Sequence, residues 1–266
     1  MASPSISRGD SSAPPDNGKR RALVTGAARG LAAGIAPLLA RDGFVGIAIT
    51  YRNTPPDKTL AAIEAAGASG GAVYVDFLDE VTTIEAALNE AIERHGPFDT
   101  LVHAVGPLPV KRFADATMED YREALDGNLR SAIVTAKATL PAMREAGFGR
   151  IVFFGMPGSS ETRPFKSLSL YQSAKSGLVA FARSLALEEA RHGITVNVVS
   201  PGDIREKTID RAQARERQAN NPRGRPGSYE DVADVVRFLV APERDFVTGA
   251  VIEVTGGLQS AQEKAR

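Results

Sequence analysis

The 266-residue sequence contains no cysteine, and its charges leave no excess of either sign. Without cysteine, the chain can form no disulfide, thiolate nucleophile, cysteine-bound zinc site or iron–sulfur cluster. The 32 basic residues balance the 32 acidic ones, so the protein lacks the positive field that gathers nucleic acid or an anionic membrane surface. The composition therefore excludes cysteine-ligated metal sites and predicts no nucleic-acid partner, and we expect no metal site.

Long apolar segments are missing as well. The longest run without a charged residue is about eleven residues, far short of the roughly 18 to 20 that a membrane-spanning helix needs. The amino terminus also lacks the apolar core of a secretory signal. Hydrophobic residues nevertheless make up 43% of the chain and charged residues 24%, a balance typical of proteins with a buried core. We expect a cytoplasmic protein with no membrane partner.

Short apolar runs alternate with segments of helical periodicity from residue 21 onward. This alternation predicts repeated βαβ units, and the unbroken apolar runs fit parallel strands buried on both faces. The predicted fold class is therefore α/β, a Rossmann-type doubly wound, mostly parallel sheet of seven strands flanked by helices on both faces. The predicted strands are residues 22–24, 45–50, 72–75, 100–103, 151–154, 194–199 and 251–254. The predicted helices are residues 30–41, 57–66, 81–94, 118–145, 171–191 and 229–240.

The domain boundaries follow from composition. Residues 1–19 are rich in serine, proline, glycine and aspartate and predict a flexible tail, because they bury too little apolar surface to offset the entropy of ordering. Residues 20–258 form the predicted single domain, and residues 259–266 a C-terminal tail. Residues 203–227 are too long for an ordinary connection, so they are either a solvated loop with one short helix or a lid over the substrate.

A glycine-rich turn follows the first predicted strand and opens the first predicted helix. Gly26 and Gly30 lack Cβ atoms, so the backbone can turn tightly and approach a pyrophosphate, while the helix N-terminus supplies free amide donors. Ala32 stands where a third small residue is expected. In this position the turn predicts a dinucleotide site that includes Leu31.

The end of the second predicted strand indicates which dinucleotide is preferred. An NAD site would carry an acidic residue there for the ribose hydroxyls, but the sequence after Thr50 is Tyr51-Arg52-Asn53. Arg52 can neutralise a 2′-phosphate and Arg29 can assist it, since guanidinium groups bind phosphate in a bidentate manner. This favours NADP(H) over NAD(H), although either arginine could instead be a surface charge.

A tyrosine and a lysine supply the candidate chemistry. Tyr171 and Lys175 are one helical turn apart, so both side chains project from one face of a helix. An ammonium beside a phenol stabilises the phenolate and lowers a pKa that starts at about 10. A phenol tuned in this way can exchange a proton with a carbonyl or alcohol oxygen at neutral pH.

With the glycine turn, the Tyr-Gln-Ser-Ala-Lys segment makes residues 21–258 resemble the short-chain dehydrogenase/reductase family. Asp76 after the third strand and Asn128 in the long middle helix match the same pattern, as do the segments 197–202, 247–249 and 254–257. The Pro201-Gly202 turn and the final motif look most similar to the 3-oxoacyl-acyl-carrier-protein reductase branch.

This resemblance implies roles for individual residues. Lys175 would hold the nicotinamide ribose, and Asn128 would anchor a water that passes protons to the lysine. Asp76 would accept a bond from the adenine amino group, and Phe77 would line the ring. The other cofactor-binding residues that it implies are Leu31, Tyr51, Ala104, Val105, Gly106, Pro201, Gly202 and Ile204. Family members also pair their long helices across two-fold axes, which implies a homo-oligomer, a tetramer or dimer.

Two departures from the family pattern stand out. His103-Ala104-Val105-Gly106 replaces the usual Asn-Asn-Ala-Gly, and we interpret His103 as a buried structural residue. Met156 aligns with the serine that normally polarises the substrate carbonyl, and methionine has no hydrogen to donate. Counting back from Tyr171 by the usual spacing reaches Gly158 instead, which leaves Ser159 or Ser160 as possible replacements.

Three functions remain open at this stage. The leading one is an NADP(H)-dependent oxidoreductase acting on a small-molecule ketone or secondary alcohol, with Tyr171, Lys175 and Asn128 as its catalytic residues. The second is an NADP-binding protein with little or no turnover, since Met156 occupies the serine position. The third is a lyase or epimerase that uses the tyrosine for proton transfer alone.

Overall fold

A computed structural model describes residues 19–202, 204 and 206–258. The predicted tails, residues 1–19 and 259–266, lie outside the described residues except for Lys19. Within the part that is described, no helix has the length and hydropathy that a membrane crossing requires.

Seven strands form one sheet in the order β3-β2-β1-β4-β5-β6-β7, and every neighbouring pair is parallel. Their bounds are β1 Arg21–Thr25, β2 Gly46–Tyr51, β3 Ser69–Tyr74, β4 Thr100–His103, β5 Gly149–Phe154, β6 Ile194–Pro201 and β7 Val251–Val254. The predicted Rossmann-type fold is confirmed. The order reverses between β1 and β4, and this topological switch point is where open α/β sheets bind ligands, beyond the carboxyl ends of their strands.

Helices cover both faces of the sheet. Their bounds are α1 Gly30–Arg41, α2 Asp57–Ala65, α3 Val81–His95, α4 Met118–Leu125, α5 Ser131–Ala146, α6 Ser169–Glu189, α7 Arg211–Arg215 and α8 Tyr229–Val240. Side chains alternate along each strand, so Leu23 joins the apolar core beneath α3, α5 and α6, while Ala22 and Val24 join the core beneath α1, α2 and α8. Burial on both faces explains why the strands read as unbroken apolar runs.

The prediction of one uninterrupted helix over residues 118–145 is wrong. The structure has α4, then a wide π-helical turn at Asp126–Arg130, then α5. The side-chain amide of Asn128 donates to the carbonyl oxygen of Ala124, one turn earlier, at 2.9 Å. A side chain that takes a helical carbonyl in this way competes with the backbone ladder, and π turns of this kind are frequent at functional sites.

Residues 206–227 form a loop that contains the short helix α7. Asp231, in the first turn of α8, ties this segment down, because it accepts hydrogen bonds from Arg225 at 2.7 Å and from Arg211 at 3.1 Å. The segment therefore rests on α8 beside the carboxyl end of the sheet, and its role as a lid stays a prediction.

Candidate active site

A cleft of about 500 Å³ opens at the switch point, between the β1–α1 turn and the carboxyl ends of β2, β3 and β4. Most of the predicted cofactor-binding residues line it: Gly26, Arg29, Gly30, Leu31, Tyr51, Arg52, Asp76, Phe77, Ala104, Val105 and Gly106. Ile204 is instead 8% exposed and packed in the core under α1 and α8. Pro201 and Gly202 are half-buried, and neither they nor Ile204 belong to the described lining of the cleft.

The glycine turn is shaped to hold an anion. Gly26 and Gly30 have φ angles of +65° and +68°, a region that side chains with a Cβ rarely adopt. A Cβ on Gly26 would lie 3.0 Å from a methyl carbon of Val105, at the end of β4. The side-chain oxygen of Thr50 accepts the Gly26 amide at 3.0 Å. The start of α1 therefore faces the cleft with its free amides, as phosphate binding requires.

Arg52 and Asp76, predicted to contact different parts of the nucleotide, form an ion pair at 2.9 Å. Arg52 is about half exposed, whereas Asp76 is mostly covered and also accepts the backbone amide of Leu78 at 3.0 Å. Asp76 is thus fixed in place, and it holds the half-exposed guanidinium of Arg52 at the rim of the cleft.

Lys175 and Asn128 meet at Gly106, beside the cleft. A Cβ on Gly106 would lie 2.9 Å from Asn128 Oδ1 and 3.1 Å from Lys175 Nζ. Lys175 is buried and donates to the carbonyl oxygen of Phe154 at 2.6 Å. Asn128 donates to the carbonyl oxygens of Pro107 and Ala124, which leaves its buried Oδ1 without a hydrogen-bond partner. A side chain at position 106 would therefore force Asn128 or Lys175 to move.

Tyr171 lies on the same face of α6 as Lys175, whose Nζ is 5.6 Å from the centre of the phenol ring. Contrary to the expected lowering, burial raises the pKa of the Tyr171 phenol to about 12. Burial also lowers the pKa of Lys175 to about 7, with a smaller contribution from the positive charge of Lys207. Desolvation of the phenol is the cause of this rise, and the charge of Lys175 does not offset it.

His103 is fully enclosed, and side chains bind both of its ring nitrogens. Ser131 Oγ donates its only proton to the carbonyl oxygen of Gly127, so at 3.0 Å from His103 it accepts from Nε2. Nδ1 then accepts from the hydroxyl of Thr25 at 3.0 Å, and that hydroxyl in turn accepts the amide of Ala104. Burial, followed by the charge of Lys175, lowers the pKa of His103 to about 3, so the ring is neutral and links β1, β4 and the π turn.

The structure also shows what stands in the serine position. Met156 is buried two residues after the end of β5. Ser159 is 1% exposed, and its Oγ lies under the turn, 3.2 Å from where a Cβ on Gly155 would be, with no hydrogen-bond partner. Ser160 is half-buried. The Ser159 hydroxyl is therefore enclosed in the protein rather than exposed to the cleft.

Sequence reasoning missed Lys207. It lines the cleft, and its Cδ lies 3.6 Å from where a Cβ on Gly30 would be. No spacing rule relates a residue in a long irregular loop to a glycine turn that far away in the chain. The only signal was the loop itself, which sequence analysis marked as a possible lid.

Comparison with known proteins agrees with this architecture. Residues 26–259 match the family model described as "Enoyl-(Acyl carrier protein) reductase". The 3-oxoacyl-[acyl-carrier-protein] reductase FabG of Escherichia coli K12 is 33% identical over 241 residues, which is 89% of this chain and 96% of the relative. The short-chain reductase protein NovJ of Streptomyces niveus is 30% identical over 246 residues, 89% of this chain and 92% of the relative.

A solved structure shows the same likeness. The acetoin dehydrogenase of Enterobacter cloacae superposes with a TM-score of 0.82 at 27% identity, over 93% of this chain and 98% of that one. The chain belongs to the short-chain dehydrogenase/reductase family, whose members are NAD(P)-dependent oxidoreductases. Among the residues that the structure describes, no group of three histidine or acidic side chains could hold a metal ion.

Proposed function

We propose that this enzyme transfers a hydride between NADP(H) and a ketone or secondary alcohol, with Tyr171 as general acid and base. A reduced nicotinamide bound in the cleft would supply the hydride to the carbonyl carbon. Tyr171 would give its phenol proton to the carbonyl oxygen in reduction and take a proton from the alcohol in oxidation. The raised pKa of Tyr171 keeps the phenol protonated at neutral pH, which is the form that reduction needs.

The meeting of Lys175 and Asn128 at Gly106 carries the proposal. An ammonium beside the phenol stabilises the phenolate that remains after proton transfer. The unpartnered Oδ1 of Asn128 can accept a hydrogen bond from a water, since a buried polar atom of this kind needs a partner. Such a water would link Asn128 to Lys175 and return a proton to Tyr171.

The preference for NADP(H) rests on the rim of the cleft. The end of β2 carries Arg52 and no acidic residue, and Arg29 lies beside the glycine turn in the same cleft. The residues present fit a dinucleotide, because the two positive φ angles of the turn leave room for a pyrophosphate and the exposed arginines can bind a 2′-phosphate.

Met156 favours a second candidate, an NADP-binding protein with a regulatory or scaffolding role and little turnover. Loss of one hydrogen-bond donor to a developing oxyanion costs roughly 10² to 10³ in rate. With Ser159 enclosed under the turn, the half-buried Ser160 is the remaining hydroxyl that the sequence marked as a replacement in that segment. In this case the cleft would bind the nucleotide, and Tyr171 would take no part in catalysis.

One experiment separates the two candidates. The purified protein is titrated with NADPH by fluorescence, and loss of reduced-nicotinamide absorbance is then followed with ketones, acetoacetyl thioesters, quinones and pterins. We expect turnover that falls at least about 10²-fold in Tyr171→Phe, the lower end of typical general acid–base contributions, with the Kd for NADPH unchanged. Tyr74→Phe, on edge strand β3, is the matched control. Tight binding without turnover of any substrate would support the second candidate.

The protein is also proposed to be a symmetric homo-oligomer, a dimer or tetramer. α5 and α6 carry exposed apolar side chains, Ile133 and Leu187, of the kind that a subunit interface covers.

A further inference from the structure

We propose that Lys207 is a cofactor-binding residue that clamps the pyrophosphate of the dinucleotide against the glycine turn. This inference rests on the proposed function and adds to it a cation from the 206–227 loop. The side-chain stem of Lys207 lies on Gly30, with Cβ and Cδ at 3.9 and 3.6 Å from where a Cβ of Gly30 would be. Gly30 is the first residue of α1, where the free amides form the anion site.

The loop holds Lys207 in this place from both sides. Ile204 and Ile209 are both buried, so residue 207 lies on a short span between two apolar anchors. Glu206 forms an ion pair with Arg217, and the backbone amide of Tyr229 donates to the carbonyl oxygen of Ile209 at 3.3 Å. The direction of the Lys207 side chain toward the cleft is therefore set by the fold of the loop.

The charge of Lys207 is available for an anion. The residue is exposed and lines the cleft, and it forms no ion pair with any residue in the described ranges. Its charge acts on Lys175, deep in the same site, and contributes to the lowered pKa of that ammonium. Lys207 lines the cleft and Lys175 is buried beside it, so an anionic ligand held close to both would reduce the repulsion between their charges.

A pyrophosphate clamp differs from a 2′-phosphate site in a measurable way. Both NADPH and NADH carry the pyrophosphate, but only NADPH carries the 2′-phosphate. Lys207→Met should therefore raise the Kd of both nucleotides by the same factor, about tenfold, as for the loss of one hydrogen bond to a charged group. It should leave the Kd of 2′-AMP unchanged, since this probe has no pyrophosphate. Arg52→Ala should instead weaken NADPH and 2′-AMP and spare NADH.

The test uses the full chain and fluorescence titration, with 2′-AMP measured by displacement. Lys19→Met is the matched control, because it removes the same charge at the amino end of β1, on the opposite edge of the sheet, and should change no Kd. Circular dichroism melting shows that each variant is folded. Unchanged or tighter NADPH and NADH binding in Lys207→Met would overturn the clamp, as would a loss of 2′-AMP binding. If the parent protein binds neither dinucleotide, the proposed function fails together with the clamp.

Discussion

At the scale of single residues, the site is defined by an ammonium that the protein buries. Lys175 has one strong acceptor, the carbonyl oxygen of Phe154 at 2.6 Å, and removal from water disfavours its charged form. Burial lowers the pKa of Lys175 to about 7. Gly106 permits this arrangement because any side chain there would displace Lys175 or Asn128.

Arg52 is the residue that should set nucleotide preference. Arg52→Ala is expected to lower the ratio of NADPH affinity to NADH affinity by at least about tenfold, because a charge-assisted bond to the 2′-phosphate disappears. Asp76 loses its ion-pair partner in the complexes of both nucleotides, so this effect largely cancels in the ratio. Fluorescence titration with NADPH and with NADH gives the two Kd values from which the ratio is calculated.

Arg94→Ala serves as the control for Arg52→Ala. Arg94 is an exposed arginine that also pairs with a carboxylate, Glu90 at 2.8 Å, but on α3, and its removal should leave the ratio unchanged. If the parent protein binds NADPH and NADH equally, the assignment to NADP(H) is wrong.

Spacing in the sequence was sufficient to place Tyr171 and Lys175 on one face of α6, since helix geometry alone fixes that relation. The ionisation of Tyr171 could not be predicted in the same way. Its pKa depends on how much surrounding protein excludes water, and that protein comes from segments distant in sequence. Lys207 was missed for a similar reason, because an irregular loop has no periodicity from which its contacts can be read.

At the scale of secondary-structure elements, the π turn at Asp126–Arg130 is the feature that brings Asn128 to the site. Two hydrogen bonds connect this turn to β4. His103 Nε2 donates to Ser131 Oγ, and Ser131 Oγ donates to the carbonyl oxygen of Gly127, next to Asn128. The neutral ring of His103 also packs edge-on against Phe77 and Phe153. His103, which departs from the family pattern, thus links the end of β4 to the π turn through Ser131.

Ser131→Ala should destabilise the protein by roughly 1–3 kcal/mol, the typical penalty for leaving a buried donor unpaired. The substitution removes the acceptor of the His103 Nε2–H, and Ser131 is fully buried, so water cannot replace it. Urea unfolding followed by circular dichroism measures the difference in the free energy of unfolding.

Ser173→Ala is the matched control, since Ser173 makes the same hydrogen bond to the carbonyl one turn earlier, at 2.8 Å, but on an exposed part of α6. Its effect should stay within about 0.5 kcal/mol, as for most surface substitutions. Equal losses of unfolding free energy in the two variants would show that the hydrogen bond from His103 to Ser131 does not stabilise the protein.

Element type was predictable where the apolar pattern was long, and α1 begins and ends where the sequence predicts, at residues 30 and 41. The interruption after α4 was not predictable from that pattern, because residues 118–145 keep helical periodicity throughout. What breaks the regular ladder is a single side-chain hydrogen bond from Asn128 to Ala124, and hydropathy carries no information about such a bond.

At the scale of the whole molecule, the parallel sheet determines where the chemistry can occur. Both faces are covered by apolar cores, so the carboxyl edge is where loops can meet a ligand, and the reversal between β1 and β4 opens the cleft there. The parallel sheet with helices on both faces was predictable, because short unbroken apolar runs alternate with helical segments along the chain. The order of the strands was not predicted. The residues that line the substrate region were not predictable, because they come from irregular loops.

The outer surfaces of α5 and α6 should form a subunit interface. Leu187 on α6 is 83% exposed, and the family resemblance implies that these two long helices pair across two-fold axes. Leu187→Glu places a charge in that surface, so light scattering with size exclusion should show a mass of half that of the parent assembly or less. Thr83→Glu, on exposed α3, adds the same charge elsewhere and should leave the mass unchanged. A monomeric parent protein would contradict the prediction. An oligomeric parent whose Leu187→Glu variant keeps the same mass would place the interface on another surface.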